Sequence, residues 1–167
     1  MSATMLTADR LAELITWSFQ THDRSAKLPR KRFRKFDGCT PYAVHPTWCA
    51  MMILHETSLS EELRMNGAQA LLFHDILEDT TCDLPAGTPF RVRELVDGLT
   101  FESMDDEMVR VWERPPVIRL LKMYDKVSNY YTDDWMEPAR VGQVRPYLRR
   151  LTRDVESHYG GLTIIAF

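Results

Sequence analysis

Seven residues of this chain have types and spacing suited to chemistry: His45, then His74-Asp75 followed at once by Glu78-Asp79, then Asp125 with Asn129. Each residue of an α-helix advances about 100°, so a helix through this stretch puts His74, Asp75, Glu78 and Asp79 within roughly 140° of arc. One face then offers an imidazole and three carboxylates. His45 and Asp125 are distant in sequence, and only a fold can bring them to that face. Two His and two Asp suit a divalent cation of mixed nitrogen and oxygen preference, with two further carboxylates placed to manage a water molecule. Each piece alone has a plainer reading. A His-Asp pair is common at surfaces and caps, Glu78-Asp79 reads as a solvated helix end, and Asp125 as a partner for Lys122 or Lys126. The setting changes the balance, because Ala68, Leu71, Leu72, Phe73, Ile76 and Leu77 make this segment apolar nearly all round, as in a buried helix. Carboxylates there are costly unless paired or bound to metal.

The elements that must position these residues read as helices almost throughout. Leu11, Leu14, Ile15 and Phe19 keep a helical period, and Pro46 can open a helix carrying Trp48, Met51, Met52 and His55. The helix around His74 is predicted to run on to about Thr80. Pro85, Gly87 and Pro89 then mark a loop over Cys82–Pro89. A short helix follows on Val92, Leu95, Val96 and Leu99, and after Pro115-Pro116 another presents Val117, Leu120, Leu121 and Tyr124. Asp125, Asn129 and Thr132 share one face of that helix at i, i+4 and i+7, with Lys126 and Asp133 pointing elsewhere. Such a row could line a pocket beginning at a metal, or be a polar surface stripe. A last long helix carries Val144, Leu148, Leu151 and Val155, with Pro146 in its first turn and Gly160-Gly161 as its stop. The expectation is an all-α bundle in which Leu162–Phe167 packs back as an apolar tail.

At 167 residues and a formal charge of −3, the chain is read as one domain, residues 1–167, large enough for a real core. The charge argues against a general nucleic-acid binder. No apolar run approaches the ~20 residues of a membrane span, and the start lacks the basic-then-apolar layout of a signal peptide, so a cytoplasmic location is expected. Cys39, Cys49 and Cys82 form no CxxC pair and read as reduced thiols. In the stretch KLPRKRFRK, Lys27–Lys35, six of nine residues are basic. Such runs are usually solvated tails, targeting signals or nucleic-acid patches. Here a short turn-rich linker ties the run to His45, which keeps Arg34 and Lys35 near any metal, and cations beside a metal point to a phosphorylated substrate. Phe33 and Arg34 could stack on a base.

Four blocks, RKFDGCTPYAVHP, LLFHDILEDT, ELVDGLT and LLKMYDKVSN, resemble those of the HD-domain alarmone hydrolases: the hydrolase domain of the RelA/SpoT stringent-response enzymes and its small hydrolase-only relatives. The resemblance spans roughly Arg34 to Thr132 and is specific, because PY-x-x-HP, HD-x-x-EDT and D-K-x-x-N recur together and in order. It implies an HD-domain helical bundle with a buried divalent-metal site, in which His45, His74, Asp75 and Asp125 match the metal ligands, usually of Mn²⁺. Glu78 and Asp79 match the acidic pair that serves the hydrolytic water and proton transfer. Arg34 matches a residue that packs on guanine, Lys35 a neighbouring cation, and Asn129 and Thr132 positions lining the nucleotide pocket. The implied reaction removes the 3′-pyrophosphate of guanosine tetra- or pentaphosphate, leaving GDP or GTP. Of the two acids, Glu78 is the favoured base, lying about 40° round an ideal helix from His74 and about 60° from Asp75.

The chain departs from the family at Phe101-Glu102-Ser103, where many relatives carry Lys soon after the LVDGLT block, and at Tyr124, where relatives tend to have a small residue. The Cys82–Phe90 loop and the C-terminal third match no family block. No synthetase domain is present in the sequence. Two rival functions follow: an HD phosphohydrolase for another phosphorylated nucleotide or dinucleotide, and a nucleotide-sensing module without catalysis, against which the intact Glu78-Asp79 pair speaks.

Overall fold

A computed structural model describes residues 6–130 and 136–166, and within them it is helical, with two isolated β-bridges as its only extended pairings. The helices are α1 (Ala8–Ser25), α2 (Val44–Leu54), α3 (Glu61–Phe73), α4 (Ile76–Asp79), α5 (Phe90–Leu99), α6 (Met104–Arg110), α7 (Pro116–Tyr130) and α8 (Pro138–Tyr159). Short 3₁₀ turns cover Pro29–Arg32, Val111–Glu113 and Thr163–Ala166. Local chemistry sets several starts. Thr7, Ser60 and Ser103 each accept a hydrogen bond from the backbone N–H three residues on, satisfying donors that the first turns of α1, α3 and α6 leave open.

Helices α2, α3 and α7 pack on one another at the centre, with α1 and α5 against α3 and α8 against α7. The close approach of α3 depends on Gly67. A Cβ there would stand 2.7 Å from Ile53 Cδ1 on α2 and 3.1 Å from Leu121 Cδ2 on α7, so hydrogen is the side chain that fits this three-helix junction. The junction brings the ends of α2 and α3 and the middle of α7 together, and these carry His45, His74 and Asp125.

Most of the expected elements form, and the differences have local causes. The inward face of α2 is His45, Pro46, Cys49, Ala50 and Ile53, whereas Met51 and His55 are exposed. The helix expected to run through His74 to about Thr80 is interrupted. Helix α3 ends at Phe73, His74-Asp75 form a turn in which Asp75 adopts φ −97° and ψ −3°, and α4 resumes for one turn. Pro146 lies inside α8 rather than in its first turn, because the helix begins earlier, at Pro138. Gly160 at φ +77° ends α8 as expected, a backbone angle that side chains disfavour. The apolar tail packs back: Leu162 and Ile164 are buried, and the backbone N–H groups of Thr163 and Ile164 donate to the buried carboxylate of Glu56 at 3.1 and 3.0 Å.

Candidate metal centre

His45 and His74 meet at the α2–α3 junction with their Nε2 atoms 3.2 Å apart. Asp125 Oδ1 lies 3.3 Å from His45 Nε2 and 3.7 Å from His74 Nε2. Asp75 Oδ2 lies 3.0 Å from His74 Nε2 and 3.7 Å from His45 Nε2. His45, His74 and Asp125 are buried and set one ligand atom each within 4.8 Å of one another. Adjacent ligands held about 2.1 Å from a cation at right angles stand about 3 Å apart, so these spacings fit a shared ion. The turn at His74-Asp75 makes this possible, since successive side chains of an unbroken helix diverge by about 100°.

The ring orientations fit as well. His74 Nδ1–H donates to the Leu71 carbonyl at 2.7 Å, which leaves Nε2 as the lone-pair donor of a neutral ring. His45 Nδ1 hydrogen-bonds Ser128 Oγ at 2.8 Å, so its Nε2 also turns inward. Tyr42 donates its hydroxyl to Asp75 Oδ2 at 2.7 Å, and Asn129 Nδ2 donates to Asp125 Oδ1 at 2.7 Å. Burial disfavours an imidazolium at His74, yet Asp75 and Asp125 outweigh it and raise this group to about 10. Burial and the repulsion of His74 hold His45 below its ordinary value, against the pull of both carboxylates. Without a metal, a proton on His74 thus takes the place of positive charge between two carboxylates, and the donor set calls for a cation.

Glu78 and Asp79, on α4, flank this centre and face different partners. Glu78 Oε1 accepts the backbone N–H of Phe101 at 3.2 Å. Burial, reinforced by the charge of Asp75, pushes its carboxyl up to about 7. Asp79 is buried, and its carboxylate pairs with Lys31. Burial and Asp75 raise its pKa while Lys31 works against them. The basic run is therefore no free patch. Lys27 Nζ donates to the carbonyls of Leu77 and Glu78 at 2.8 and 2.9 Å, Arg32 pairs with Asp23, and Arg34 is buried with its guanidinium donating to Asn129 Oδ1 at 3.1 Å. Lys35 is pushed below the ordinary lysine value by burial and by the nearby Lys31 and Arg30.

Of the residues singled out in the sequence, His45, His74, Asp75 and Asp125 converge, Glu78 and Asp79 stand beside them, and Arg34 reaches Asp125 through Asn129. Thr132 lies outside the described residues. Lys126 does not point away as its helical position predicts, because its long side chain turns back to place Nζ 3.1 Å from Asp125 Oδ2. Asp125 thus pairs with Lys122 and Lys126 through one oxygen and faces His45 and His74 through the other. Sequence reasoning missed Tyr42, Ser128, Lys31 and the backbone of Phe101. Tyr42 and Ser128 lay within recognised blocks and Lys31 within the basic run, but the pairing of Lys31 with Asp79 and of the Phe101 N–H with Glu78 carried no signal, since the partners come from other elements.

No protein-family model matches the chain. It is 31% identical to guanosine-3′,5′-bis(diphosphate) 3′-pyrophosphohydrolase MESH1 of Homo sapiens and to that of Mus musculus, in both cases over 64% of this chain and 64% of the relative. The Xenopus tropicalis counterpart is 29% identical over 63% of each. The chain thus spans less than two thirds of the length of these relatives. Among solved structures, one described as a metazoan ortholog of SpoT that hydrolyzes ppGpp and plays a role in starvation responses superposes with a TM-score of 0.65 at 19% identity, covering 98% of this chain and 92% of that one. Over the matched part the chain is thus similar to the MESH1 3′-pyrophosphohydrolases, and it shares the fold of the SpoT ortholog.

Proposed function

We propose that this protein is a Mn²⁺-dependent hydrolase that removes the 3′-pyrophosphate of guanosine tetra- or pentaphosphate, giving GDP or GTP and pyrophosphate, as one HD-type domain of the cytoplasm. The observation that carries this reading is the convergence of His45, His74, Asp75 and Asp125 beside an acid whose pKa lies near neutrality. A divalent ion held by those four would lower the pKa of water and polarise a phosphoryl oxygen. Glu78 then takes the water proton as the new bond to phosphorus forms and the bond to the ribose 3′-oxygen breaks. Burial holds this carboxyl above its ordinary value, which favours acceptance of a proton, and the Phe101 N–H holds it in place. Asp79, steadied by Lys31, orients the water or returns a proton to the leaving 3′-oxygen. Arg34, Lys35 and Asn129 line the nucleotide pocket, with Arg34 facing the base. Free thiols at Cys39, Cys49 and Cys82 accord with a reducing compartment, and no helix among the described residues is long and apolar enough to cross a membrane.

A second reading, an HD phosphohydrolase for another phosphorylated nucleotide, is favoured by Phe101, the point of departure from the family pattern, whose ring lies under Lys122 at 5.2 Å and Arg114 at 5.5 Å. A panel of phosphorylated nucleotides with chelated and Mn²⁺-restored protein separates the two. Release of pyrophosphate from guanosine 3′,5′-bis(diphosphate) that disappears on chelation and returns with Mn²⁺ is expected. Turnover of other nucleotides alone refutes the assigned substrate, and turnover that persists after chelation refutes the metal.

A further inference from the structure

Asp125 does not reach the metal centre alone. Its Oδ2 lies 3.1 Å from Lys126 Nζ and 3.3 Å from Lys122 Nζ, and the same two ammonium groups lie 2.9 and 3.1 Å from Glu107 Oε2 on α6. Tyr147 on α8 donates to the other oxygen of Glu107 at 2.8 Å. All five side chains are buried. Two cations and two anions therefore form a closed, neutral group joining α6 and α7, with α8 as its backstop. Burial opposes charge on each member, but the facing partners prevail: Glu107 is held below its ordinary value, with Lys122 and Lys126 above theirs.

The two oxygens of Asp125 have separate surroundings. Oδ1 faces His45 and His74 and accepts from Asn129, whereas Oδ2 faces the lysines. Ammonium groups compete with any metal for the charge of this carboxylate. With Glu107 present, that competition is neutralised. Without it, two buried cations would share one aspartate, a net positive charge beside the place where a dication must bind, and the carboxylate would be drawn from the centre.

We infer that Glu107 is a positioning residue of the metal centre, which neutralises Lys122 and Lys126 so that the charge of Asp125 is left to the metal and only its Oδ1 is offered to it. This rests on the reading of His45, His74, Asp75 and Asp125 as ligands. Partners of metal ligands typically change affinity 10- to 100-fold when altered, and here the sign is set by charge.

The test is titration of chelator-stripped protein with Mn²⁺, by calorimetry or by competition with a chromophoric chelator. Thermal unfolding of the same metal-free samples runs in parallel. Glu107→Gln is expected to weaken Mn²⁺ binding roughly tenfold or more. Lys126→Met, which removes one cation, should bind Mn²⁺ at least as tightly as wild type. The double variant, neutral again, should return to within about threefold of wild type by the same charge balance. A merely structural group would lower the unfolding temperature in all three variants, with no reversal of sign and no rescue. Wild-type affinity in Glu107→Gln, or a double variant as weak as the single, overturns the inference. Should Glu107→Gln fail to fold, Lys126→Met decides, and weaker Mn²⁺ binding in it overturns the inference. A wild type that takes up no Mn²⁺ overturns the ligand assignment itself, an outcome distinct from a wild type that binds while Glu107→Gln matches it.

Discussion

Replacing Glu78 with Gln separates catalysis from stability and predicts opposite signs for the two. The amide keeps the size of the side chain and can still accept the Phe101 N–H at Oε1, but it cannot take a proton. General-base catalysis is worth about 10²- to 10⁴-fold, so turnover should fall by roughly 10²-fold or more with metal still bound. In the metal-free protein, burial and Asp75 raise the Glu78 carboxyl from 4.5 to about 7. Below pH 4.5 the group is protonated whether the chain is folded or not, and it adds no pH-dependent cost. As pH rises from there through 7, the unfolded chain ionises first and the folded state is progressively penalised. At about 1.4 kcal/mol per pKa unit, the full penalty above pH 7 is about 3 kcal/mol for this largely buried group. Chelator-treated Glu78→Gln should therefore be more stable than wild type at pH 8, by up to about that amount, with the advantage vanishing near pH 4.5. With Mn²⁺ bound, the proposed activity should fall tenfold per unit on the acid side of a midpoint at or below 7, since a dication beside the carboxylate draws it down. Urea unfolding of metal-free protein at both pH values and a pH–rate profile with Mn²⁺ supply the measurements. Turnover within threefold of wild type, or a stability difference that does not grow between pH 4.5 and 8, would refute the assignment of Glu78 as a buried base.

Arg34→Ala should raise KM more than it lowers kcat and leave metal content unchanged, because base stacking is largely equal in ground and transition states. An unchanged KM for every nucleotide tried, with a salt-sensitive loss of affinity for RNA or DNA instead, would return the basic run to a nucleic-acid role. Gly67→Ala sets a Cβ 2.7 Å from Ile53 Cδ1, and overpacking of ~1–3 kcal/mol outweighs the ~1 kcal/mol that Ala gains over Gly in a helix. A net loss of up to about 2 kcal/mol in urea unfolding is expected, whereas a raised midpoint contradicts the tight α2–α3–α7 junction.

The sequence by itself determined the helical class, most helix spans and the residue types of the centre. These are properties of short windows: apolar periods, Pro and Gly at helix starts and stops, and Asp125 with Asn129 one turn apart on α7. Even the tail was legible, since a short apolar run is driven to bury against the bundle, as Leu162 and Ile164 do. Tertiary structure decided how those pieces meet. A helical period cannot report that α3 stops at Phe73 so that His74 and Asp75 can face one point, because both residues keep right-handed dihedrals and the break answers to His45 and Asp125 across the junction. Nor can it place Lys126, whose flexible stem lets the ammonium follow the nearest buried carboxylates whatever the position of its Cα. Lys31 against Asp79 and Glu107 between Lys122 and Lys126 are pairings of distant segments. Charge in a low-dielectric interior must be balanced by whatever the fold brings within about 3 Å, and spacing along one chain does not encode that distance.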